Sequence, residues 1–571
     1  MEEKNFSTWK MFWFIFKGYW CSEKKWEAIG LLVGVIVLNL AMVYLLVRLN
    51  SWHNEFFSMF GGTNYSQFWP LLLEFALIAF LFIVFAANAL YLQELLRLKW
   101  RIWLTKKYVG LWMQDQSYYR LQVLEKDTDN PDQRISEDVG AFSRLTLELL
   151  IGFVRKVTGL VAFSLILWNI SGTLSFTFAG IAISIPGYMF WACLLYAVIG
   201  TWLAHLVGKK LIKLKYDQQK YEADFRFGMM RLRENSESIA FYKGESVELL
   251  GFKEMFGNCV SNYLKLIHRH KLLSFYTNTY DNTAVIMPIL MIAPRIFNGT
   301  FHIGLFMQLT HAFASVKDGL SFFVASYSKI ASLAAVIQRL GRFTQHMNEA
   351  REIVVEVNNK KAEEGNFAVR DLDVMLPNGL TLVSHCSMSL RSGERLLLTG
   401  ASGCGKSTFL RTISGIWPFG KGEVANDGAL MLFLPQRPYL PLGTLRRAVC
   451  YPNGSDIPDE KVHEVLRLVD LEKLIERLDE VDDYSRILSL GEQQRIAFAR
   501  ALLTEPRWIF LDEATSALDE KREYDMYILL HKMLPKTCIM SIGHRKTLFS
   551  LHDRELHLSK EKWILRPIEQ V

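Results

Sequence analysis

Residues that could carry out phosphate chemistry lie in a glycine-rich loop with the pattern G-x-x-x-x-G-K-S. The loop consists of Gly400, Ala401, Ser402, Gly403, Cys404, Gly405, Lys406 and Ser407, followed by Thr408. An apolar run before it predicts a buried strand and the residues after it predict a helix, which is the context that this pattern requires. Backbone N–H groups of such a loop close around phosphate oxygens, and the helix N-terminus adds partial positive charge. We expect Lys406 to reach the outer phosphates of a nucleoside triphosphate and the Ser407 hydroxyl to bind Mg²⁺.

A second chemical feature is a pair of adjacent carboxylates, Asp512 and Glu513, which follow the apolar run at 508–511. The run predicts a buried strand, and α/β sheets bind ligands at the carboxyl ends of their strands. Asp512 is expected to bind Mg²⁺ through water, and Glu513 to orient or deprotonate the attacking water. Two such acids also occur as a simple helix cap, but their position after the phosphate loop favours catalysis.

These motifs resemble the ATP-binding cassette superfamily, and further segments extend the resemblance. Gln436, thirty residues after Lys406, resembles the Q-loop glutamine, which touches the metal and senses the membrane domain. His544, 31 positions after Glu513, resembles the switch histidine that contacts the γ-phosphate. The resemblance implies ATP and Mg²⁺ as cofactors, with Lys406, Gln436, Glu513 and His544 as the catalytic set.

Two more segments of this resemblance imply a second copy of the chain. The signature segment comprises Ser489, Leu490, Gly491, Glu492 and Gln493, and the D-loop comprises Ser516, Ala517, Leu518 and Asp519. The signature departs from the usual Leu-Ser-Gly-Gly-Gln at Leu490 and Glu492. In this superfamily the signature helix faces the γ-phosphate held by the other subunit, so the resemblance implies a homodimer.

Composition places the rest of the chain in a membrane. Half of the 571 residues are hydrophobic and 13% are aromatic, and the apolar residues concentrate before about residue 340. Runs that approach the length of a membrane span occur at Ala28–Val47, Pro70–Leu92, Leu147–Ile170, Ile181–Val207, Thr283–Ile296 and Phe301–Ser326. The net charge of +7 comes largely from basic residues between these runs, which favours membrane topology over a nucleic-acid partner.

The distribution of Lys and Arg predicts the orientation. Basic residues are dense between the second and third spans and between the fourth and fifth, and sparse after the first and third. The positive-inside rule then places both termini and the ATPase in the cytosol, which predicts a multi-pass protein of the bacterial inner membrane with lipid as a partner.

Five ionisable residues fall inside predicted spans: Arg155, Lys156, His311, Lys317 and Asp318. Intramembrane charges usually face a cavity, so these residues are candidates for lining a transport path. They could equally form structural pairs between helices or extend to the membrane surface.

The membrane half resembles the SbmA/BacA-like family, its ATPase-fused YddA-type members and the related peroxisomal ABCD fatty-acyl transporters. The resemblance rests on Trp52-His-Asn-Glu-Phe-Phe57, Asn130-Pro-Asp-Gln-Arg-Ile135, Glu222-Ala-Asp-Phe-Arg226 and Glu237-Ser-Ile-Ala-Phe-Tyr242. It implies an all-α, six-helix type IV exporter-fold membrane domain fused to an α/β nucleotide-binding domain. The residues expected to couple the two are Asn130, Pro131, Asp132, Gln133, Arg134, Glu222, Phe225 and Arg226.

The domain boundaries follow from these patterns. We expect an interfacial helix region at 1–27, the membrane domain at 28–344, a polar linker at 345–366 and the ATPase at 367–571. Three functions fit the chain: uptake of a hydrophilic solute or peptide, which the charged span residues favour; export or flipping of a lipid-like or fatty-acyl molecule; and proton-coupled transport with a regulatory ATPase.

Overall fold

A computed structural model of the chain describes residues 8–60, 65–124, 130–178, 181–297, 302–353, 355–454, 456–559 and 562–568. The chain separates into two compact units. The first comprises Met1–Val109 and Asp129–Thr344, and the second comprises Gly110–Thr128 and Gln345–Val571.

Long helices dominate the first unit because apolar segments in lipid must satisfy their backbone hydrogen bonds internally. The helices up to residue 351 are α1 (Thr8–Trp20), α2 (Lys25–Met59), α3 (Phe68–Met113), α4 (Ser117–Val123), α5 (Pro131–Gln133), α6 (Val139–Ser171), α7 (Tyr188–Glu234), α8 (Ser236–Tyr242), α9 (Glu245–Phe297), α10 (Ile303–Leu320) and α11 (Phe322–Arg351). A wider helical turn at Arg134–Asp138 joins α5 to α6.

Five helical segments among the described residues are long and apolar enough to cross a membrane: Lys25–Met59, Phe68–Val123, Pro131–Ser171, Tyr188–Glu234 and Ile303–Arg351. The prediction of a fourth span from Ile181 was wrong at its start, because Ile181–Pro186 is a strand (β2) that pairs with Thr173–Phe178 (β1). The fifth predicted span, Thr283–Ile296, lies in the last part of α9 and is not among these five. Phe301, the predicted start of the sixth, is outside the described residues.

Two helix groups build the first unit. α7 and α9 form a long antiparallel pair connected through α8, in which Asn262 donates to the carbonyl of Leu214 (2.9 Å). Gly200 permits this approach, since a Cβ there would lie 2.1 Å from the Tyr280 ring. Elsewhere α10 packs against α2 and α6. The aromatic helix α1 buries Ile15 and Tyr19 and exposes Trp9, Trp13 and Phe14, so its interfacial position stays a prediction.

The second unit is built on two sheets. Its strands are β3 (Val357–Lys361), β4 (Asn366–Met375), β5 (Thr381–Arg391), β6 (Arg395–Gly400), β7 (Gly420–Asn426), β8 (Met431–Leu434), β9 (Gly443–Thr444), β10 (Val481–Asp482), β11 (Trp508–Asp512), β12 (Cys538–Ile542), β13 (Arg554–Ser559) and β14 (Lys562–Pro567). Its helices after α11 are α12 (Lys406–Ile413), α13 (Leu445–Cys450), α14 (Asp459–Leu468), α15 (Tyr484–Ile487), α16 (Leu490–Thr504) and α17 (Glu520–Met533).

The larger sheet has the order β14-β13-β6-β12-β11-β8, and all of its neighbouring strands except β14 run parallel. Successive side chains of these strands face opposite cores. Leu396, Leu398 and Phe510 pack toward the small four-stranded sheet β3-β7-β4-β5, whereas Leu397 and Leu511 pack toward the helices. Both faces are therefore covered, as a parallel sheet requires.

The predicted linker at 345–366 is largely structured. Helix α11 continues to Arg351, and β3 pairs in parallel with β7 from Val357 onward. The sheet of the second unit consequently begins about ten residues before the predicted boundary at 367, because Val357 is buried against the core despite its polar neighbours.

Candidate active site

Four parallel strands deliver the predicted catalytic residues to one edge of the larger sheet. β6 ends at Gly400 and leads into the phosphate loop, β11 ends at Asp512, β12 leads to His544 and β8 leads to Gln436. Because the carboxyl ends of parallel strands share one edge, residues that lie up to 144 positions apart converge there.

The loop before α12 depends on its glycines. Gly405 precedes the helix with φ of +103°, and Gly400 has φ of +143°, conformations that residues with a side chain rarely adopt. A Cβ on Gly400 would lie 2.2 Å from the carbonyl oxygen of Leu558. The backbone can therefore turn back over the start of α12 only with glycine at these positions.

Lys406 is buried at the first position of α12, with 7% of its surface exposed. Its Nζ donates to the carbonyl oxygens of Gly400 (2.9 Å) and Ala401 (3.0 Å). A buried ammonium needs such partners. The two bonds hold the positive charge inside the loop, where the motif predicts phosphate.

Ser407 and Asp512 meet across the loop, since the serine hydroxyl donates to Oδ1 of Asp512 at 2.9 Å. Burial raises the pKa of Asp512 and the negative charge of Glu513 adds to this, while the hydrogen bond from Ser407 and the charges of Arg411 and Lys406 oppose it. A hydroxyl beside a carboxylate provides the hard oxygen ligands that Mg²⁺ prefers, so the residues fit the predicted metal.

Glu513 is contacted by Gln436 and His544, two other residues of the predicted catalytic set. Its Oε2 accepts a hydrogen bond from Nε2 of Gln436 at 3.1 Å, and its Oε1 lies 3.5 Å from Nε2 of His544. The Glu513 backbone has φ of +49° and its N–H donates to Ile542 O (3.2 Å). A non-glycine residue in this region costs about 1–3 kcal/mol, which is typical of a side chain aimed for function.

The signature residues begin helix α16. Ser489 caps the helix, and its hydroxyl and backbone N–H both donate to Oε2 of Glu492, at 2.7 and 2.9 Å. The departure from the usual sequence at Glu492 thus completes a capping box. Within the part of the chain that the structure describes, the hydrogen bonds of the Ser489 side chain stay inside this box, and none reaches the phosphate loop of the same chain.

Gln493 and the D-loop have structural partners. The Gln493 amide donates to the carbonyls of Ser485 (2.9 Å) and Leu488 (2.8 Å). Asp519 caps α17 through the backbone N–H of Arg522 (2.8 Å), and Arg545 donates to the carbonyls of Leu518 (2.7 Å) and Ser516 (3.2 Å).

Gln494 is a residue that sequence reasoning missed. It is fully buried, and its Nε2 donates to the backbone carbonyl of Gln436 (2.9 Å) and to Oγ of Ser516 (3.2 Å), while its Oε1 accepts from the N–H of Ala517 (3.0 Å). One side chain therefore ties the Q-loop and the D-loop to the signature helix. The only sequence signal was a run of polar residues, Gln493-Gln494-Arg495, at the start of an otherwise apolar helix.

The predicted coupling residues lie in the first unit. Gln133 donates to Glu137 (3.0 Å), and Asp138 forms buried ion pairs with Arg134 and with Arg339 (2.6 Å). On α7, Glu222 accepts from Gln218 (3.0 Å), the Phe225 ring packs on Phe252 and Phe256, and Arg226 is exposed.

Another segment, Gly110–Thr128, belongs to the second unit although it begins within the last turn of α3, and sequence reasoning did not identify it. In it, Asp115 pairs with Arg351 at 3.1 Å.

The ionisable residues predicted inside spans lie in different environments. Lys317 is buried and pairs with Asp281 (2.7 Å) and Asp318 (3.3 Å), and its ammonium lies over the Tyr280 ring. The His311 ring lies 4.4 Å from that of His53. Arg155 is exposed and Lys156 is partly buried on α6. A cavity of about 1140 Å³ in the first unit is lined by other residues than these five. For Lys317 the structure supports the alternative of an interhelical pair.

Comparisons with known proteins agree with this geometry. Residues 15–297 match the family described as ABC transporter transmembrane region 2, and residues 383–516 match the family described as ABC transporter. The inner membrane ABC transporter ATP-binding protein YddA of Escherichia coli is 33% identical over 541 residues, covering 94% of this chain and 95% of that protein.

More distant relatives extend the same relationship. The chloroplastic ABC transporter D family member 2 of Arabidopsis thaliana is 32% identical over 97% of this chain and 86% of that protein. The human lysosomal cobalamin transporter ABCD4 is 28% identical over 81% of this chain and 80% of that protein. A bacterial Atm1-family ABC exporter solved with ATP bound has a TM-score of 0.72 at 16% identity, covering 95% of this chain and 96% of that one, and thus shares the fold. The predicted resemblance to YddA-type and ABCD proteins and the predicted fold class are confirmed, whereas the SbmA/BacA-like grouping stays a prediction.

Proposed function

Because this chain belongs to the ABC transporter family, whose ATPase drives membrane transport, we propose that it works as a homodimer that imports a hydrophilic solute or peptide. Each chain contributes one membrane domain and one ATPase. The two copies would enclose ATP between the phosphate loop of one and the signature helix of the other.

The observation that carries this proposal is the separation of the two half-sites within one chain. Lys406, Ser407 and Asp512 form one cluster, whereas the Ser489 side chain hydrogen-bonds only within its capping box among the described residues. The first turn of α16 offers backbone N–H groups and a helix N-terminus suited to a phosphate. A complete site requires the signature of a second copy, and closed two-fold assemblies are the commonest solution for such a pair.

A second feature that supports a dimer is the tip of the α7–α9 pair. There α8 exposes Phe241 (79%) and Tyr242 (86%), and Val247 in the first turn of α9 is 72% exposed. An apolar tip at the end of two long helices is suited to docking on another protein surface. We propose that α8, with Glu222, Phe225, Arg226 and the segment Asn130–Arg134, carries the movement of the ATPases to the membrane helices.

Hydrolysis follows from the site geometry. Lys406 offsets the negative charge that develops on the transferred phosphoryl group, and Ser407 and Asp512 would hold Mg²⁺, which neutralises charge on the phosphate oxygens. Glu513 positions the attacking water and accepts its proton as the water oxygen bonds to the γ-phosphorus and the bond to ADP breaks. Gln436 and His544 both hold the Glu513 carboxylate, so these two side chains set its orientation toward the water.

Orientation and location follow from charge. The second half of α3 and the second half of α7 carry dense Lys and Arg, which supports a cytosolic ATPase and cytosolic termini by the positive-inside rule. The relative YddA is described as an inner membrane protein, which favours a bacterial inner membrane. Accumulation of a radiolabelled peptide library in right-side-out membrane vesicles supplied internally with ATP would test import. Loss of preloaded peptide from those vesicles would instead indicate export and refute it.

A mixing experiment tests the shared ATP site. Lys406→Ala removes function from the phosphate loop and Ser489→Ala removes it from the signature, so each homodimer would have two damaged sites. A mixed dimer has one site with both changes and one intact site. We expect the mixture to hydrolyse ATP faster than either variant alone, at about a quarter of the wild-type rate if chains pair at random. A sample that contains mixed dimers by mass photometry but hydrolyses no faster than its parents would refute the shared site.

A further inference from the structure

A cavity of about 1140 Å³ lies between α3, α6, α7, α9 and α11, entirely within the first unit. This volume is slightly larger than the roughly 300–1,000 Å³ of pockets that bind small molecules. On α3 the lining residues Arg97 and Arg101 follow the predicted span Pro70–Leu92. On α7 they run from Thr201, near the end of the predicted span, into the basic segment that follows it.

The charge of the cavity is strongly positive. Six Lys or Arg side chains line it against two carboxylates, Glu137 and Asp138: Arg97, Arg101, Arg144, Lys209, Lys215 and Arg339. Asp138 is already neutralised, because it is buried in ion pairs with Arg134 and Arg339. Arg97 is likewise paired with Glu94 at 3.0 Å, so the excess positive charge comes from Arg101, Arg144, Lys209 and Lys215.

Three of these cations have no acidic partner. Among the residues that the structure describes, Arg144, Lys209 and Lys215 have no carboxylate within ion-pair distance, although each is exposed to the cavity. Arg101 donates one guanidinium N–H to the carbonyl of Ser136 (3.2 Å), and this bond does not use its other guanidinium N–H groups. Low-dielectric walls focus the field of such charges into the cavity and concentrate anions there.

Topology alone does not account for this arrangement. The positive-inside rule favours Lys and Arg near the ends of spans but does not require them to converge. On α7, Lys210 and Lys213 are exposed without lining the cavity, whereas Lys209 and Lys215 line it. Arg144 on α6 lies 65 and 71 positions before Lys209 and Lys215 on α7, and the packing of these two helices brings the three cations to one cavity.

We propose that this cavity binds the cargo, and that the cargo carries several negative charges as phosphate, sulfonate or carboxylate groups. This inference rests on the proposed transport function and narrows it from hydrophilic solutes in general to anionic ones. Arg144, Lys209 and Lys215 supply charge-assisted hydrogen bonds to the anionic groups. The same chemistry occurs in a soluble polyanion and in the headgroup of an anionic lipid, and the experiment separates these two sources.

The test uses the full chain in lipid discs and the trisulfonated dye pyranine as the anionic probe, with the cationic dye rhodamine 6G for comparison. Binding is measured by fluorescence anisotropy without ATP, and stimulation is measured as ATP turnover over the dye-free rate. The variant carries Arg144→Gln, Lys209→Gln and Lys215→Gln. The matched control carries Lys210→Gln, Lys213→Gln and Arg233→Gln, which removes one Arg and two Lys from exposed positions outside the cavity.

We expect pyranine to bind and rhodamine 6G not to bind. The cavity variant should lose at least about tenfold in pyranine affinity, since each lost charge-assisted bond contributes more than a neutral one. The control variant should bind as the wild type does. Equal binding of both dyes, or equal loss in the cavity and control variants, would overturn the proposal.

Disc composition separates the two sources of anion. Pyranine binding in phosphatidylcholine discs that is retained with phosphatidylglycerol indicates a soluble cargo. Binding that phosphatidylglycerol abolishes, together with lipid-stimulated ATP turnover, indicates that the lipid headgroup occupies the cavity. Absence of any dye-free ATP hydrolysis would count against the proposed transport function, while normal hydrolysis without anion binding would count against this inference alone.

Discussion

Replacing Gln494 by methionine tests whether one buried amide holds the Q-loop and D-loop in register. Methionine has a similar size and shape but makes no strong hydrogen bonds. The change removes the bonds to Gln436 O (2.9 Å), Ser516 Oγ (3.2 Å) and Ala517 N (3.0 Å). Because methionine fills the same space, any loss of activity or stability comes from the three lost hydrogen bonds and not from a cavity.

The magnitude follows from these three contacts. A net hydrogen bond contributes about 1 kcal/mol and a stranded buried partner costs about 1–3 kcal/mol, so the ATPase unit should lose about 2–3 kcal/mol of stability. The catalytic loss should be larger than stability predicts, because a misplacement of about 1 Å can cost about a hundredfold in rate. We expect kcat for ATP to fall about ten- to a hundredfold. KM should change little, since Lys406 and its loop are untouched.

The assay compares steady-state ATP hydrolysis with thermal unfolding of the same samples. The control is His552→Met, because His552 is also buried and makes two hydrogen bonds. Its Nδ1 donates to Leu548 O (2.7 Å) and its Nε2 accepts from the Ser541 hydroxyl (2.9 Å), and neither bond reaches a catalytic loop. It should lose comparable stability and keep its kcat. If Gln494→Met retains kcat within twofold, or if both variants lose the same activity for the same loss of stability, the positioning role is refuted.

Three further predictions concern the site and its support. Glu513→Gln should keep ATP binding but lower kcat about 10²- to 10⁴-fold, because an amide cannot accept the proton of the attacking water. Single-turnover hydrolysis, measured in parallel with ATP binding, checks this, and unchanged turnover would exclude Glu513 as the base. Gly405→Ala should raise KM for ATP, since φ of +103° and Leu382 Cβ at 3.0 Å strain any side chain there; normal ATP affinity and melting temperature would contradict it. Burial lowers the pKa of His552 to about 4, below its unfolded value of about 6.5, so its contribution to the free energy of unfolding should be full above pH 6.5 and fall toward pH 4. Denaturant unfolding across this range should show a flatter pH dependence of that free energy in His552→Gln, and the same pH dependence in both proteins would disprove the assignment.

Much of the catalytic site was accessible from sequence because its motifs are local. A glycine loop between a strand and a helix, or two acids at the end of an apolar strand, requires only a few neighbouring residues to adopt known conformations. The order of strands in the sheet then brings Gly400, Gln436, Asp512 and His544 to one edge. Two predictions failed because they were based on polarity alone. β3 was predicted as part of a linker because four of its five residues are polar, and Ile181–Pro186 was predicted as part of a span because it is apolar.

The sequence by itself determined the family and fold class of this protein and predicted the residues of its ATP site, since apolar length and short motifs are properties of contiguous residues. Only the tertiary structure decided which polar groups meet across the chain. The pairing of Arg339 with Asp138 joins residues 201 positions apart, Gln494 links the Q-loop and the D-loop to the signature helix, and the cations of α6 and α7 share one cavity. Such contacts depend on how helices pack, and helix packing is fixed by the shapes of many distant side chains together rather than by any local pattern.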